Sequence, residues 1–210
     1  VYCYAPEVLH ADWKDWRVVK VRSNIHDRLS KELSGLEGTI GIGTVTDPYQ
    51  YAEKRFRLTE KCLKILKEKD FRIHLHTKSD LILRDIDLIS SMRGEVGITI
   101  TSVSDKYSKI TEPGAPLPGK RLETLRRLSE RGIDTYALIG PVLNHLEGNE
   151  RDLVDAVVST GVKRVYIDAL NPRPLLMDRL ARMNIRGSET SREMIRRLAT
   201  DSGLIVKDVF

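Results

Sequence analysis

The chain has 210 residues, 40% hydrophobic and 31% charged, with a formal net charge of +5, which is enough for one large domain with a real core. No apolar run approaches the ~20 residues of a membrane span and no basic-then-apolar leader opens the sequence, so a soluble, cytoplasmic protein is expected. Two cysteines, Cys3 and Cys62, exclude a disulfide-stapled secreted scaffold, and the mild basic excess tolerates a phosphate-bearing partner without demanding one.

In chain order, Val1-Tyr2-Cys3-Tyr4-Ala5-Pro6 comes first and reads as the end of a cysteine cluster; a start at Val1 rather than Met makes further sequence upstream an expectation. Short β-type runs then follow at residues 39–43, 72–76, 96–101, 135–139 and 164–167, with a last one at 204–206. Between them, apolar residues recur at helical spacing: Ile25, Leu29 and Leu33; Leu58, Cys62, Ile65 and Leu66; Leu122, Leu125 and Leu128; Leu153, Val154, Val157 and Val158. Asp47 before Pro48, Gly132 and Gly161 mark helix boundaries. Beyond residue 172 the pattern is less regular, with a helix over 191–199. Repeated βα units of this length require parallel strands, so the fold class is α/β, a single domain over 1–210 in which the sheet is open or curled into a barrel.

Strand alternation places His74, His76 and Lys78 on one face of their strand and Ile73 and Leu75 on the other. In phase with them lie Thr99, Thr101, Tyr166 and Asp168. Helices cover the apolar face, so the opposite face is polar. A closed eight-stranded barrel fills its interior with branched apolar side chains; a polar interior suits a partial, splayed barrel around a polar ligand, or a small buried hydrogen-bond network. Ligands in such folds sit at the carboxyl ends of the strands, where this chain has Gly43 to Gln50, Lys78-Ser79, Thr101 to Ser104, Gly140 to His145 and Asp168 to Pro172. Each of these segments also reads as ordinary turn chemistry when taken alone. Cys62 shares the buried face of its helix with Leu58 and Leu66 and reads as packing.

Three passages carry a family resemblance: YCYAP at Tyr2 to Pro6, GTVTDPYQYAE at Gly43 to Glu53, and EPGAPLPGKRLETLRRLSERGI at Glu112 to Ile133. In them the chain resembles radical S-adenosylmethionine enzymes of the group related to spore photoproduct lyase, often labelled DNA repair photolyase-like. The resemblance implies a partial (β/α)6 barrel whose first strand and first two cluster cysteines precede Val1. It also implies a [4Fe-4S] cluster held by three thiolates, with Cys3 the third, and S-adenosylmethionine on the open iron. Tyr2 and Tyr4 match the aromatics around that cysteine. Thr44, Thr46 and Asp47 match the segment receiving the methionyl amino group, Lys78 and Ser102 match positions facing its carboxylate, and Val142 and Leu143 match the turn packed on adenine; Asn144 departs from the proline common there. A lyase-like reaction follows, in which a 5′-deoxyadenosyl radical abstracts hydrogen from a substrate, with nucleic-acid lesions among the expected substrates, DNA a possible partner and an external one-electron reductant required. His74, His76, Tyr166 and Asp168 are the candidates on the substrate side. With one of three cluster cysteines, the chain as it stands is expected to be inactive.

Two other classes compete. A metal-dependent barrel hydrolase would use His74 and His76 with His145 and Asp168 to bind divalent ions, but leaves YCYA and TDPYQ unexplained. A non-catalytic nucleic-acid-binding module would draw on the +5 charge, yet only 6% of residues are aromatic, and no basic run is interleaved with them.

Overall fold

A computed structural model describes residues 1–16 and 18–209. Six strands, β1 (Thr39–Ile42), β2 (Arg72–Thr77), β3 (Gly94–Thr99), β4 (Thr135–Ile139), β5 (Arg164–Ile167) and β6 (Ile205–Asp208), form one sheet in sequential order. Every neighbouring pair is parallel. Because each strand pairs with the next, every crossover must carry the chain back over the same face, and the right-handed preference of such crossovers puts the helices together on the outside. The sheet is a partial barrel with β1 and β6 at its edges.

The outer face is the core. Leu63 and Leu66 of the helix Leu58–Glu68, Leu125 and Leu128 of Pro118–Glu130, Leu153 and Val157 of Glu150–Val158, and Ile195 of Glu189–Asp201 are fully buried in one cluster. They meet Ile73, Leu75, Val96, Ile98, Ile139, Val165 and Ile167, the alternate residues of the strands. Each such side chain contributes about 1.5–3 kcal/mol by leaving water. Among the described residues no helix is long and apolar enough to cross a membrane.

Several element boundaries differ from the sequence reading. β3 begins at Gly94 rather than at residue 96, because Glu95, a poor strand former in isolation, sits opposite His74 in the ladder. The last strand is Ile205–Asp208 rather than 204–206. The helix expected over 191–199 runs Glu189–Asp201, with the Ser188 hydroxyl accepting from the Ser191 amide at 3.3 Å. Asp47 does not start a helix. It makes a turn in which its carboxylate accepts the Tyr49 amide at 2.9 Å, and the next helix is Glu53–Phe56.

Candidate active site

The inner face of the barrel has a polar floor, set by strand register. His74 lies opposite Glu95, Gly97 opposite both His76 and Tyr136, and Tyr136 opposite Arg164. Gly97 has no side chain, and the Tyr136 ring occupies its place; a Cβ there would lie 2.2 Å from the ring. The phenol of Tyr136 thereby reaches His74 Nε2 at 2.9 Å and His76 Nδ1 at 3.4 Å. His74 Nδ1 in turn meets Glu95 at 2.8 Å, and Arg164 pairs with Glu95 at 2.9 Å. Tyr166 stacks on Tyr136 with ring centroids 4.3 Å apart and its hydroxyl is 3.4 Å from Glu95. A charged, mutually bonded network of half-buried side chains around the buried Tyr136 therefore lines the base of the barrel.

Above this floor opens a cleft with an accessible volume of about 240 Å³. Its wall comes from the carboxyl ends of β1 to β5: Gly43 to Asp47, His76 and Lys78, Thr99, Leu138 with Gly140-Pro141, and Asp168 to Asn171. Tyr2, Cys3, Tyr4 and Ala5 form the remaining side. Gly43 is required here: its φ is +99°, and a Cβ would come within 2.1 Å of the His76 carbonyl. His76 bonds Thr99 Oγ1 through Nε2 at 2.6 Å. Burial, then the Lys78 ammonium and His74 nearby, pushes its pKa down to about 3, so the ring is neutral. Burial raises Asp168 above the usual carboxylate range.

Glu112 joins the two sides of the cleft. It accepts from Tyr2 Oη and, at 2.8 Å, from Thr101 Oγ1. Lys78 Nζ lies 3.8 Å from it and 5.6 Å from the centre of the Tyr2 ring. Behind it, the Arg121 guanidinium is 2.7 Å from Glu112 Oε2 without aligning as a hydrogen bond, while its Nε donates to the Pro116 carbonyl at 2.7 Å. Burial alone would raise the Glu112 pKa, but the Lys78 and Arg121 charges outweigh it and hold the carboxyl below its ordinary value.

Of the residues singled out from sequence, Tyr2, Cys3, Tyr4, Thr44, Thr46, Asp47, His76, Lys78 and Asp168 share this wall. His74 and Tyr166 belong to the floor beneath. Ser102, Val142 and Leu143 are buried behind the rim and outside the wall. His145 also lies outside it, bonded to the Thr101 carbonyl at 3.2 Å and stacked on Tyr107. Among the described residues no group of three or more His, Cys, Asp and Glu side chains is placed to hold a metal ion, so the ligand set of the hydrolase alternative does not come together. The sequence reading missed Glu95, Tyr136 and Arg164 on the floor, and Glu112 and Arg121 beside the cleft. The first three could have been found by extending the alternation argument one strand pair further; Glu112 and Arg121 were already inside a motif singled out for its likeness alone.

A family model described as the Radical SAM superfamily matches residues 1–157. The chain belongs to that superfamily. Its cofactors are a [4Fe-4S] cluster and S-adenosylmethionine. An uncharacterized protein of Methanocaldococcus jannaschii is 37% identical over 150 residues, 69% of this chain and 56% of that protein. One of Mycobacterium tuberculosis is 30% identical over 188 residues, 82% of this chain and 55% of that protein. The chain thus spans about half the length of these relatives. Among solved structures, spore photoproduct lyase complexed with dinucleoside spore photoproduct superposes with a TM-score of 0.65 at 14% identity, over 98% of this chain and 71% of that one. A domain of pyruvate-formate lyase-activating enzyme from Bacteroides vulgatus gives 0.56 at 16% identity, over 72% and 91%. At such identities the likeness is one of fold.

The donor set in the cleft fits these cofactors. Cys3 is the one thiol in the wall, able to furnish a single corner of a cluster, and Lys78 is a cation in the same wall. Cys62 is outside it, and burial, then the Glu53 charge, pushes its thiol up to about 11, unfavourable for a thiolate ligand.

Proposed function

We propose that this radical SAM protein is a hydrogen-abstracting, lyase-like enzyme whose reaction takes place in the cleft between the Cys3 segment and the ends of β1 to β5. When bound, the cluster and S-adenosylmethionine supply the reductive cleavage that yields a 5′-deoxyadenosyl radical, the electron coming from an external donor. The chain's own residues bind, orient and exclude water. Cys3 would hold one iron. Lys78 would serve as a charge-assisted donor to the methionyl carboxylate, and Thr44 and Thr46 would offer hydroxyls to the amino group. Asp47 shapes that turn, and Tyr2 and Tyr4 flank the cluster ligand. Ser102, Val142 and Leu143 support the rim from behind. Asp168 and the neutral His76 border the substrate space, and His74 and Tyr166 close it from below, so that water is excluded from the reacting groups. For the substrate we propose a modified nucleic acid; the support is the +5 charge and the shared fold with a lyase complexed with a dinucleoside photoproduct.

The observation that carries this reading is the convergence of Cys3, Lys78 and five strand ends on one cleft. The protein carrying its complete cysteine motif should take up about four iron on anaerobic reconstitution, and Cys3→Ala should abolish uptake. Lys78→Ala should weaken S-adenosylmethionine binding about tenfold or more with the cluster intact, since a hydrogen bond to a charged group is worth about 1.5–3 kcal/mol. Full iron uptake by Cys3→Ala would overturn the assignment of the site.

A further inference from the structure

The segment bearing Cys3 is gripped by a side chain from the far end of the chain. Arg179, on the helix Pro174–Ala181, lies outside the residues matched by the family model. Its Nε donates to the Val1 carbonyl at 2.9 Å and its Nη2 to the Cys3 carbonyl at 3.0 Å. Its guanidinium lies 3.7 Å over the Trp13 ring. One planar group thus spans two carbonyls on either side of Tyr2 and is itself held on its face by an indole, a geometry that a lysine cannot reproduce. The same helix is tied to the segment again where the Leu176 amide donates to Glu7 at 3.2 Å. A second element holds the segment as well, where Glu112 accepts the Tyr2 phenol. Cys3 therefore cannot swing away from the cleft without breaking contacts to both Arg179 and Glu112. Among the described residues Arg179 hydrogen-bonds only neutral carbonyls, while the Glu7 carboxylate acts on it through space and offsets part of its charge.

We propose that Arg179 is a positioning residue for the cluster ligand Cys3, and that its fixed cation raises the reduction potential of the cluster. The proposal rests on the radical SAM reading of the cleft. Its physical basis is twofold: ordering a segment needs more than one anchored contact, and net charge and nearby dipoles set the potential of an iron–sulfur cluster, a cation favouring the state with the extra electron.

Amide hydrogen exchange on the full chain tests the first half, and a redox titration of the cluster-loaded protein, monitored spectroscopically, tests the second. Arg179→Met is expected to speed exchange at the Glu7, Val8 and Leu9 amides, which bond back to Tyr4 and Ala5, by about tenfold or more, the loss of two hydrogen bonds, and to lower the midpoint potential. Arg179→Lys, which keeps the charge but not the fork, is expected to hold the potential near that of the parent while losing most of the protection. Unchanged exchange and potential in Arg179→Met would overturn the proposal. If that variant does not fold, parental protection in Arg179→Lys overturns it instead. Failure of the parent protein with its complete cysteine motif to take up iron would count against the enzyme reading, whereas the exchange experiment would still decide whether Arg179 orders the segment.

Discussion

Asp47 shows how one residue of the TDPYQ motif organises the rim. Its carboxylate accepts three hydrogen bonds, from the Tyr49 amide at 2.9 Å, the Thr77 hydroxyl at 2.6 Å and the Lys78 amide at 2.8 Å. The last two come from the end of β2, so Asp47 fixes the backbone that carries Lys78. Asp47→Asn would turn an amide donor toward existing donors; a loss of about 2 kcal/mol is expected, read as a lower urea midpoint at unchanged slope. An unaltered midpoint would mean the turn holds without the charge. Sequence alone showed Asp47 as a rim residue, but its partners Thr77 and Lys78 lie 30 and 31 positions on, and spacing within a motif carries no information about them.

At the scale of the element, the same motif builds the helix that follows. Glu53 is buried, and its carboxylate accepts the amides of Leu58 and Thr59 at 2.7 and 3.0 Å, satisfying the unpaired donors at the start of the helix Leu58–Glu68. Arg84 pairs with Glu53 at 2.8 Å and with Asp85 at 2.7 Å, and Asp85 accepts the Tyr49 hydroxyl at 3.1 Å. Glu53→Ala would leave Arg84 short of a partner and uncap the helix. Breaking a buried pair costs about 3–5 kcal/mol, so thermal unfolding is expected roughly 10 °C lower; a shift of a degree or two would show that Asp85 suffices. The helix itself was legible from Leu58, Ile65 and Leu66, whose spacing is local. Its cap was not, because Glu53 reaches it from the preceding helix across a left-handed Arg57.

For the whole molecule, the polar interior ties stability to pH. The His76 pKa is about 3 in the fold against an ordinary 6.5, so below 6.5 the unfolded chain takes up the proton first. Its stabilisation is complete above 6.5 and is lost as pH falls toward 3, roughly 2 kcal/mol of it by pH 5. Glu112, held below its ordinary value, adds a loss of the same sign as pH falls through the carboxylate range. The groups facing His76 are His74, Lys78, Thr99 and Tyr136. His76→Gln should flatten the decline between pH 7 and 5 in denaturant titrations; an equal decline in both proteins would place the acid sensitivity elsewhere. The sequence by itself determined the parallel α/β sheet, its polar inner face and the rim on which Thr44, Lys78 and Asp168 meet, because periodicity and βα alternation are properties of neighbouring residues. Tertiary structure alone decided that Glu95, Tyr136 and Arg164 bond with His74 and Tyr166 into one network, that Ser102, Val142 and Leu143 stand behind the rim, and that Glu112 and Arg179 hold the Cys3 segment. Those contacts join residues more than a hundred positions apart in the case of Tyr2 with Glu112 and Cys3 with Arg179, and only closure of the chain brings such groups within bonding distance.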